Sequence, residues 1–236
     1  MSLDPVKKRL WIKELRLNGF AILRGFLPVE FVEALAGQME PILRGEYERA
    51  QRGESNAMRG SHRLSFDVQR YAALLAGPLA DPLYRSNPDV EEMVEEILGP
   101  RSRWGYGWSR VEAAWKGSEY MPWHSDQVFD ETPDPETPNR TVRLAFNIPI
   151  TPFTWANGAT EFVPGSHLQP RAFLNDAFLD VPNVYGVKPQ LALGDCVLRD
   201  GNCLHRGAPN LTERVRAMLD QTYRVAKAGA GDVPAS

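Results

Sequence analysis

The sequence predicts a mainly β fold, a barrel or jelly roll with helices packed outside it. Three observations carry this. Helical periodicity is confined to about the first 100 residues. Strict apolar alternation takes over after Pro100. The alternating segments are short and separated by Pro- and Gly-rich connectors. With 236 residues, 43% of them hydrophobic and 24% charged, the chain suits one domain. Helical support is expected over about 1–100 and a β core over about 101–226, with no boundary that leaves either half its own core.

Taken in order, Asp4 and Pro5 read as the N-cap and first position of a helix. It carries apolar Leu10, Leu15 and Leu17, and Gly19 ends it. Phe20 to Leu23 is a short strand. From Pro28 to Leu43 the residues Phe31, Val32, Leu35, Met39 and Leu43 recur at helical spacing. Charge and glycine from Arg44 to His62 predict a mobile loop, and the stretch to Phe66 a lid over bound substrate. Val90 to Leu98 is a third helix, closed by Gly99 and Pro100.

Beyond Pro100, Trp104, Tyr106 and Trp108 alternate on one parity and Val111, Ala113 and Trp115 on the other. That is a strand with a bulge near Ser109. Val142, Leu144, Phe146, Ile148 and Ile150 alternate cleanly. Leu191 to Leu193, Cys196 to Leu198 and Val215 to Val225 are further strands. Asp130 to Asn139 and Pro164 to Pro170 are connectors.

A formal net charge of -3 gives no reason to expect nucleic acid or an anionic membrane as partner. No apolar run approaches the roughly 20 residues that span a bilayer. Met1 to Leu10 is charged and lacks the apolar core of a secretory signal. Cys196 and Cys203 do not make a disulfide framework and read as small core residues. The expectation is a cytoplasmic protein with a small-molecule partner; nothing here predicts the oligomeric state.

Chemistry concentrates in Trp123-His124-Ser125-Asp126-Gln127. Side chains two apart on extended backbone share a face, so His124 and Asp126 converge on one point. A second histidine brought in by the fold would complete a 2-His-1-carboxylate triad for ferrous iron. His205 ends a strand segment. His167 sits in a Pro-Gly-Ser-His turn and His62 in the charged loop. Arg216 lies in an apolar alternating segment, where an unpaired cation is costly. Its planar guanidinium suits a carboxylate, either of the protein or of a small dicarboxylate. Arg214 and Arg224 share its parity, so parity does not choose among the three. Trp104, Tyr106, Trp108, Trp115 and Trp123 could line a pocket or pack in the core.

These residues, together with Asn157-Gly158-Ala159, Pro164-Gly165-Ser166-His167, Gly194-Asp195 and Asn210-x-Thr212-x-x-x-Arg216, resemble the phytanoyl-CoA dioxygenase family. The entry strand Asn18 to Phe26 resembles it too, and the likeness runs from about Asn18 to Val225. The resemblance implies a double-stranded β-helix, the cupin-like jelly roll. It implies an iron(II)- and 2-oxoglutarate-dependent dioxygenase that uses O2 to oxidise a C–H bond, with hydroxylation the usual outcome. Carried over, His124, Asp126 and His205 match the metal ligands. Arg216 matches the arginine that grips the distal carboxylate of 2-oxoglutarate, and Thr212 a small hydroxyl position beside it. His167 matches a structural turn. Gly207 departs from the family, many members of which carry a serine there. Halogenating relatives replace the carboxylate with a small residue, and Asp126 argues against that chemistry. The expected substrate is a small or medium metabolite, with natural-product biosynthesis as the expected setting. The competing readings are an acyl-CoA hydroxylase, a cupin-like metal enzyme that does not use 2-oxoglutarate, and a non-catalytic binding module.

Overall fold

A computed structural model describes residues 3–126, 141–169 and 184–225. Gln127, the connector Asp130 to Asn139 and Pro170 lie outside the described residues. Helix α1 (Pro5–Asn18) starts where the Asp4 carboxylate accepts the Val6 N–H and stops at Gly19, whose φ is 82°. Glycine is needed there for two reasons. The backbone is left-handed, and a Cβ would stand 2.6 Å from Nδ1 of His167. Of the apolar residues expected on its inner face, Leu15 is buried, while Leu10 and Leu17 are exposed. Trp11 and Ile12 take their place.

Helix α2 (Val29–Gln51) buries Val32, Leu35, Met39 and Leu43 as the spacing predicts. It then runs on to Gln51, where the sequence reading places a loop from Arg44. The extra turns are held by tertiary contacts. Tyr47 stacks on Trp115 with ring centroids 4.2 Å apart, and the buried Glu46 accepts from Arg49 and Ser55. Two single-turn helices, α3 (Ala72–Leu75) and α4 (Pro82–Arg85), precede α5 (Pro88–Leu98). Asn87 caps α5, and Gly99 ends it at φ 96°.

The strands are β1 (Phe20–Leu23), β2 (Arg63–Asp67), β3 (Trp104–Ala114), β4 (Arg143–Pro149), β5 (Thr160–Phe162), β6 (Cys196–Asp200), β7 (His205–Gly207) and β8 (Arg216–Val225). Six of them form an antiparallel sheet in the order β1-β6-β4-β8-β3-β2, and β5 pairs with β7 in a second sheet. This is the jelly-roll type of antiparallel architecture; among the described residues the sheets do not close into a barrel. The register of β3 on β8 shifts between Tyr106 and Ser109, where the parity change predicts a bulge. Leu191 to Leu193 is not a strand. Leu191 makes one bridge to Phe153, and the Ala192 N–H donates to the Asp195 carboxylate across the turn at Gly194. β2 and β5 went unpredicted because runs of five and three residues carry too little periodicity.

The large sheet has two unlike faces. Leu64, Phe66, Val111, Leu144, Phe146, Ile148 and Leu219 turn outward and join the helices in one apolar cluster. Each such buried side chain contributes about 1.5–3 kcal/mol. On the other face the register lays out polar rows. Arg63, Ala114 and Arg216 are neighbours across β2, β3 and β8. Ser65, Glu112, Met218 and Pro149 follow, then Asp67, Arg110, Asp220 and Asn147. That polar face looks toward β5 and β7, and a cavity lies between. Cys196 and Cys203 are free and buried. Among the described residues no helix is long and apolar enough to cross a membrane.

Candidate active site

The cavity has a volume of about 200 Å³, and its wall includes His124, Asp126, Thr160, His205, Gly207 and Arg216. His124 and His205 meet because their backbones pair. The His124 N–H donates to the His205 carbonyl at 3.1 Å, and the His205 N–H returns the bond at 2.9 Å. The Asp126 N–H is held by the Gly201 carbonyl at 2.9 Å, and Arg143 donates to the Asp126 carbonyl. Two residues apart on this extended segment, His124 and Asp126 face one way. One ligand-type atom from each of His124, Asp126 and His205 lies within 4.8 Å of the others.

The donor chemistry fits a divalent metal. Nδ1 of His124 faces the Pro122 carbonyl at 2.9 Å, and Nδ1 of His205 faces the Cys203 carbonyl at 3.1 Å. A proton on each Nδ1 satisfies those carbonyls and leaves each Nε2 its lone pair. Nε2 of His205 is 3.8 Å from Oδ1 of Asp126. Burial, then the charges of Arg199 and His124, depresses His205 well below the ordinary histidine range, so it is a neutral donor. Burial works to raise Asp126, but Arg199, His205 and His124 outweigh it and hold its carboxyl well below the usual range. The group is an anion at neutral pH.

Arg216 lies along the same cavity and is almost fully buried. Its Nε donates to the Gly158 carbonyl at 3.0 Å. Among the described residues its guanidinium forms no ion pair with a carboxylate. Burial, then the cation of Arg63, pushes Arg216 down to about 9. Of the alternatives that parity left open, Arg214 lines a separate outer groove beside Trp115, and Arg224 pairs in register with Gly105 and Arg143 toward the far end of β8.

The other predicted positions fall elsewhere. Thr212 does not line the cavity; its hydroxyl donates to Oδ1 of Asn210 at 2.9 Å and shapes the turn before β8. The hydroxyl residues in the wall are Ser65 and Thr160. His167 is buried against α1, with Nε2 3.2 Å from the Arg16 carbonyl. His62 stands outside the cavity, with Nδ1 2.6 Å from the Tyr47 hydroxyl. None of the five singled-out aromatics lines the cavity. Trp104 packs in the core, Trp115 on Tyr47 and Trp123 under Arg206.

Six charged residues in the wall escaped sequence reasoning: Arg59, Arg63, Arg110, Glu112, Arg199 and Asp220. Burial raises both acids to about 7; the Ser65 hydroxyl opposes this at Glu112 and the Arg199 charge at Asp220. A signal existed. Glu112 stands between apolar Val111 and Ala113, and Arg199 and Asp220 each follow an apolar residue, Leu198 and Leu219, of the opposite parity.

Comparison with known proteins agrees with this architecture. The multifunctional dioxygenase ausE of Emericella nidulans is 27% identical over 223 residues, covering 88% of this chain and 70% of that protein. The dioxygenase FrzG of Cladobotryum is 26% identical over 215 residues, covering 84% and 67%. Among solved structures, AviO1 from Streptomyces viridochromogenes superposes with a TM-score of 0.68 at 19% identity, covering 97% of this chain and 98% of that one. The epimerase SnoN from nogalamycin biosynthesis, solved with Fe3+, alpha ketoglutarate and nogalamycin RO, gives 0.64 at 18% identity, covering 94% and 85%. At such identities the two structures speak for the fold. The family profile described as phytanoyl-CoA dioxygenase matches residues 15–218, most of the chain, which therefore belongs to the phytanoyl-CoA dioxygenase family and is an enzyme of the dioxygenase class.

Proposed function

We propose that this chain is an iron(II)- and 2-oxoglutarate-dependent dioxygenase that oxidises a C–H bond of a small or medium metabolite in natural-product biosynthesis, with hydroxylation as the outcome. The observation that carries the reading is Arg216. A guanidinium with no carboxylate partner among the described residues faces the same cavity as two histidines and an ionised aspartate. A buried cation of this kind calls for an anion supplied from outside.

In this reading His124, Asp126 and His205 hold iron(II), and Arg216 receives the distal carboxylate of 2-oxoglutarate through a planar, bidentate contact. Arg63, beside it in the sheet register, adds positive potential. When bound, the metal and cosubstrate supply oxygen activation coupled to decarboxylation. The chain binds and orients both and excludes water. Its main apolar cluster covers the outer face of the sheet, and Phe153 and Phe162 pack in a second one with Phe20, Leu191 and Val197. The relatives named for nogalamycin biosynthesis support a natural-product substrate.

The test is succinate release from 2-oxoglutarate with iron(II) and O2, coupled to a metabolite screen. Succinate formed by the wild-type protein and lost in Arg216→Lys supports the reading. Turnover of a substrate without 2-oxoglutarate would favour a cupin-like enzyme of another kind.

A further inference from the structure

Arg199 is a fully buried cation on β6, one strand away from the ligand histidine. Its Nη2 donates to Oδ2 of Asp126 at 2.5 Å, while Oδ1 is the oxygen nearer Nε2 of His205. Nη1 stands 3.3 Å from Nδ1 of His205. That nitrogen also faces the Cys203 carbonyl at 3.1 Å. Only one of the two contacts can be a hydrogen bond, because a protonated Nδ1 donates and an unprotonated one accepts. Metal ligation through Nε2 requires the proton on Nδ1, so the bond goes to Cys203. Among the described residues, Nε of Arg199 is buried with no hydrogen-bond partner. The strong bond that this guanidinium makes among them is therefore to Oδ2 of Asp126. A buried cation is a costly device unless it holds something in place.

We propose that Arg199 is a positioning residue that ties down Oδ2 of Asp126, confining that carboxylate to ligation through one oxygen and keeping an extra coordination position open for a chelating keto acid. A carboxylate is free to bind a metal through one or both oxygens. With Oδ2 engaged, only Oδ1 is left to turn toward the histidines. The cation also removes charge from the ligand, so metal is held less tightly than by an unpaired aspartate. The inference rests on the metal site proposed above.

The experiment compares the metal-free wild-type protein with Arg199→Met and Arg199→Lys, after circular dichroism and thermal unfolding establish that each folds. Mn(II) serves as the probe, and water-proton relaxation reports how many waters remain on the bound ion. A one-oxygen aspartate leaves three octahedral positions to water, and a two-oxygen aspartate leaves two. The relaxation enhancement per bound ion should fall by about a third in Arg199→Met. Mn(II) should bind about tenfold more tightly there, because a neighbouring cation is gone. 2-Oxoglutarate should bind the loaded variant at least tenfold more weakly. Arg199→Lys should return all three quantities most of the way to wild type. If Arg199→Met does not fold, Arg199→Gln makes the same neutral comparison. Unchanged relaxation, or metal affinity that falls instead of rising, overturns the inference and leaves the metal site standing. Failure of the wild-type protein to bind Mn(II) at all overturns both.

Discussion

Gly207 leaves room for Arg63: a Cβ at position 207 would stand 2.5 Å from Nη1 of that guanidinium. Arg63 reaches across from β2 and donates to the Glu119 carbonyl at 2.7 Å and the Ala208 carbonyl at 2.5 Å. The glycine at the position where the resemblance implies a serine in many members is thus matched by a large cation in the space beside it. Ala114 is the only residue between Arg63 and Arg216 in the sheet register. Burial lowers Arg63 to about 10, and an anion between the two guanidiniums would relieve their repulsion.

Gly207→Ser should push the Arg63 guanidinium aside. Loss of about 1 kcal/mol of charge-assisted contact corresponds to roughly fivefold weaker 2-oxoglutarate binding. Anaerobic titration of the iron(II) protein measures it, and iron affinity should stay near wild type. An unaltered dissociation constant would place Arg63 away from the cosubstrate.

His205→Ala should abolish iron binding, while His167→Ala should keep it. The first removes a ligand-type nitrogen in the cavity; the second removes a contact to the Arg16 carbonyl. Metal analysis after anaerobic loading distinguishes them, and the reverse pattern would refute the ligand assignment.

Arg216→Lys retains charge and loses the planar fork. Hydrogen bonds to charged groups are worth about 1.5–3 kcal/mol each, so 2-oxoglutarate affinity should drop about ten- to a hundredfold. Arg224→Lys, outside the cavity, is the control. A larger loss in the control would mean that the carboxylate is gripped elsewhere.

Gly158→Ala should be costly. Gly158 has φ 83°, and a Cβ there would meet the Ala208 carbonyl at 2.5 Å. Its own carbonyl accepts from Arg216. A loss of about 1–3 kcal/mol, and a melting temperature lower by several degrees, is expected. Calorimetry on the metal-free protein would show it; a variant as stable as wild type would argue that this turn relaxes freely.

Glu112→Gln should change how stability depends on pH. The folded carboxyl is raised to about 7, so the native state binds the proton more tightly than the unfolded chain. The group's contribution is complete below its ordinary value and is lost as pH rises toward 7. By linkage the wild-type, metal-free protein should lose about 2–3 kcal/mol over that window on account of this group. Glutamine cannot ionise and can still accept from Ser65. Urea unfolding at pH 5 and pH 8 should show similar stability at the lower pH and a more stable variant at the higher one.

Much of the fold was legible because its signals are local. Asp4, Pro5 and Gly19 mark α1, and Gly99 closes α5, although its Asn87 cap and Pro88 start lie before the Val90 that periodicity marks. The parity change near Ser109 locates the bulge in β3. The far end of α2 was not legible, since Tyr47 and Glu46 are held by Trp115 and Ser55, partners remote in the chain or across a loop. The three-residue β5 was equally hidden.

For the site, the sequence by itself determined the chemistry on offer. His124 and Asp126 share a face because extended backbone alternates with period two, and the family resemblance pointed to His205 and Arg216. Only the tertiary structure showed that Arg214 and Arg224 stay out of the cavity and that Ser65 and Thr160, not Thr212, line its wall. It also put Arg63 over Gly207 and Arg199 against Asp126. These relations join β2, β6, β7 and β8, which lie far apart in the chain, and they depend on strand register and on which face of the sheet is covered. Local periodicity places a side chain on one face of its own strand. The partner it meets there is set by the packing of the whole sheet.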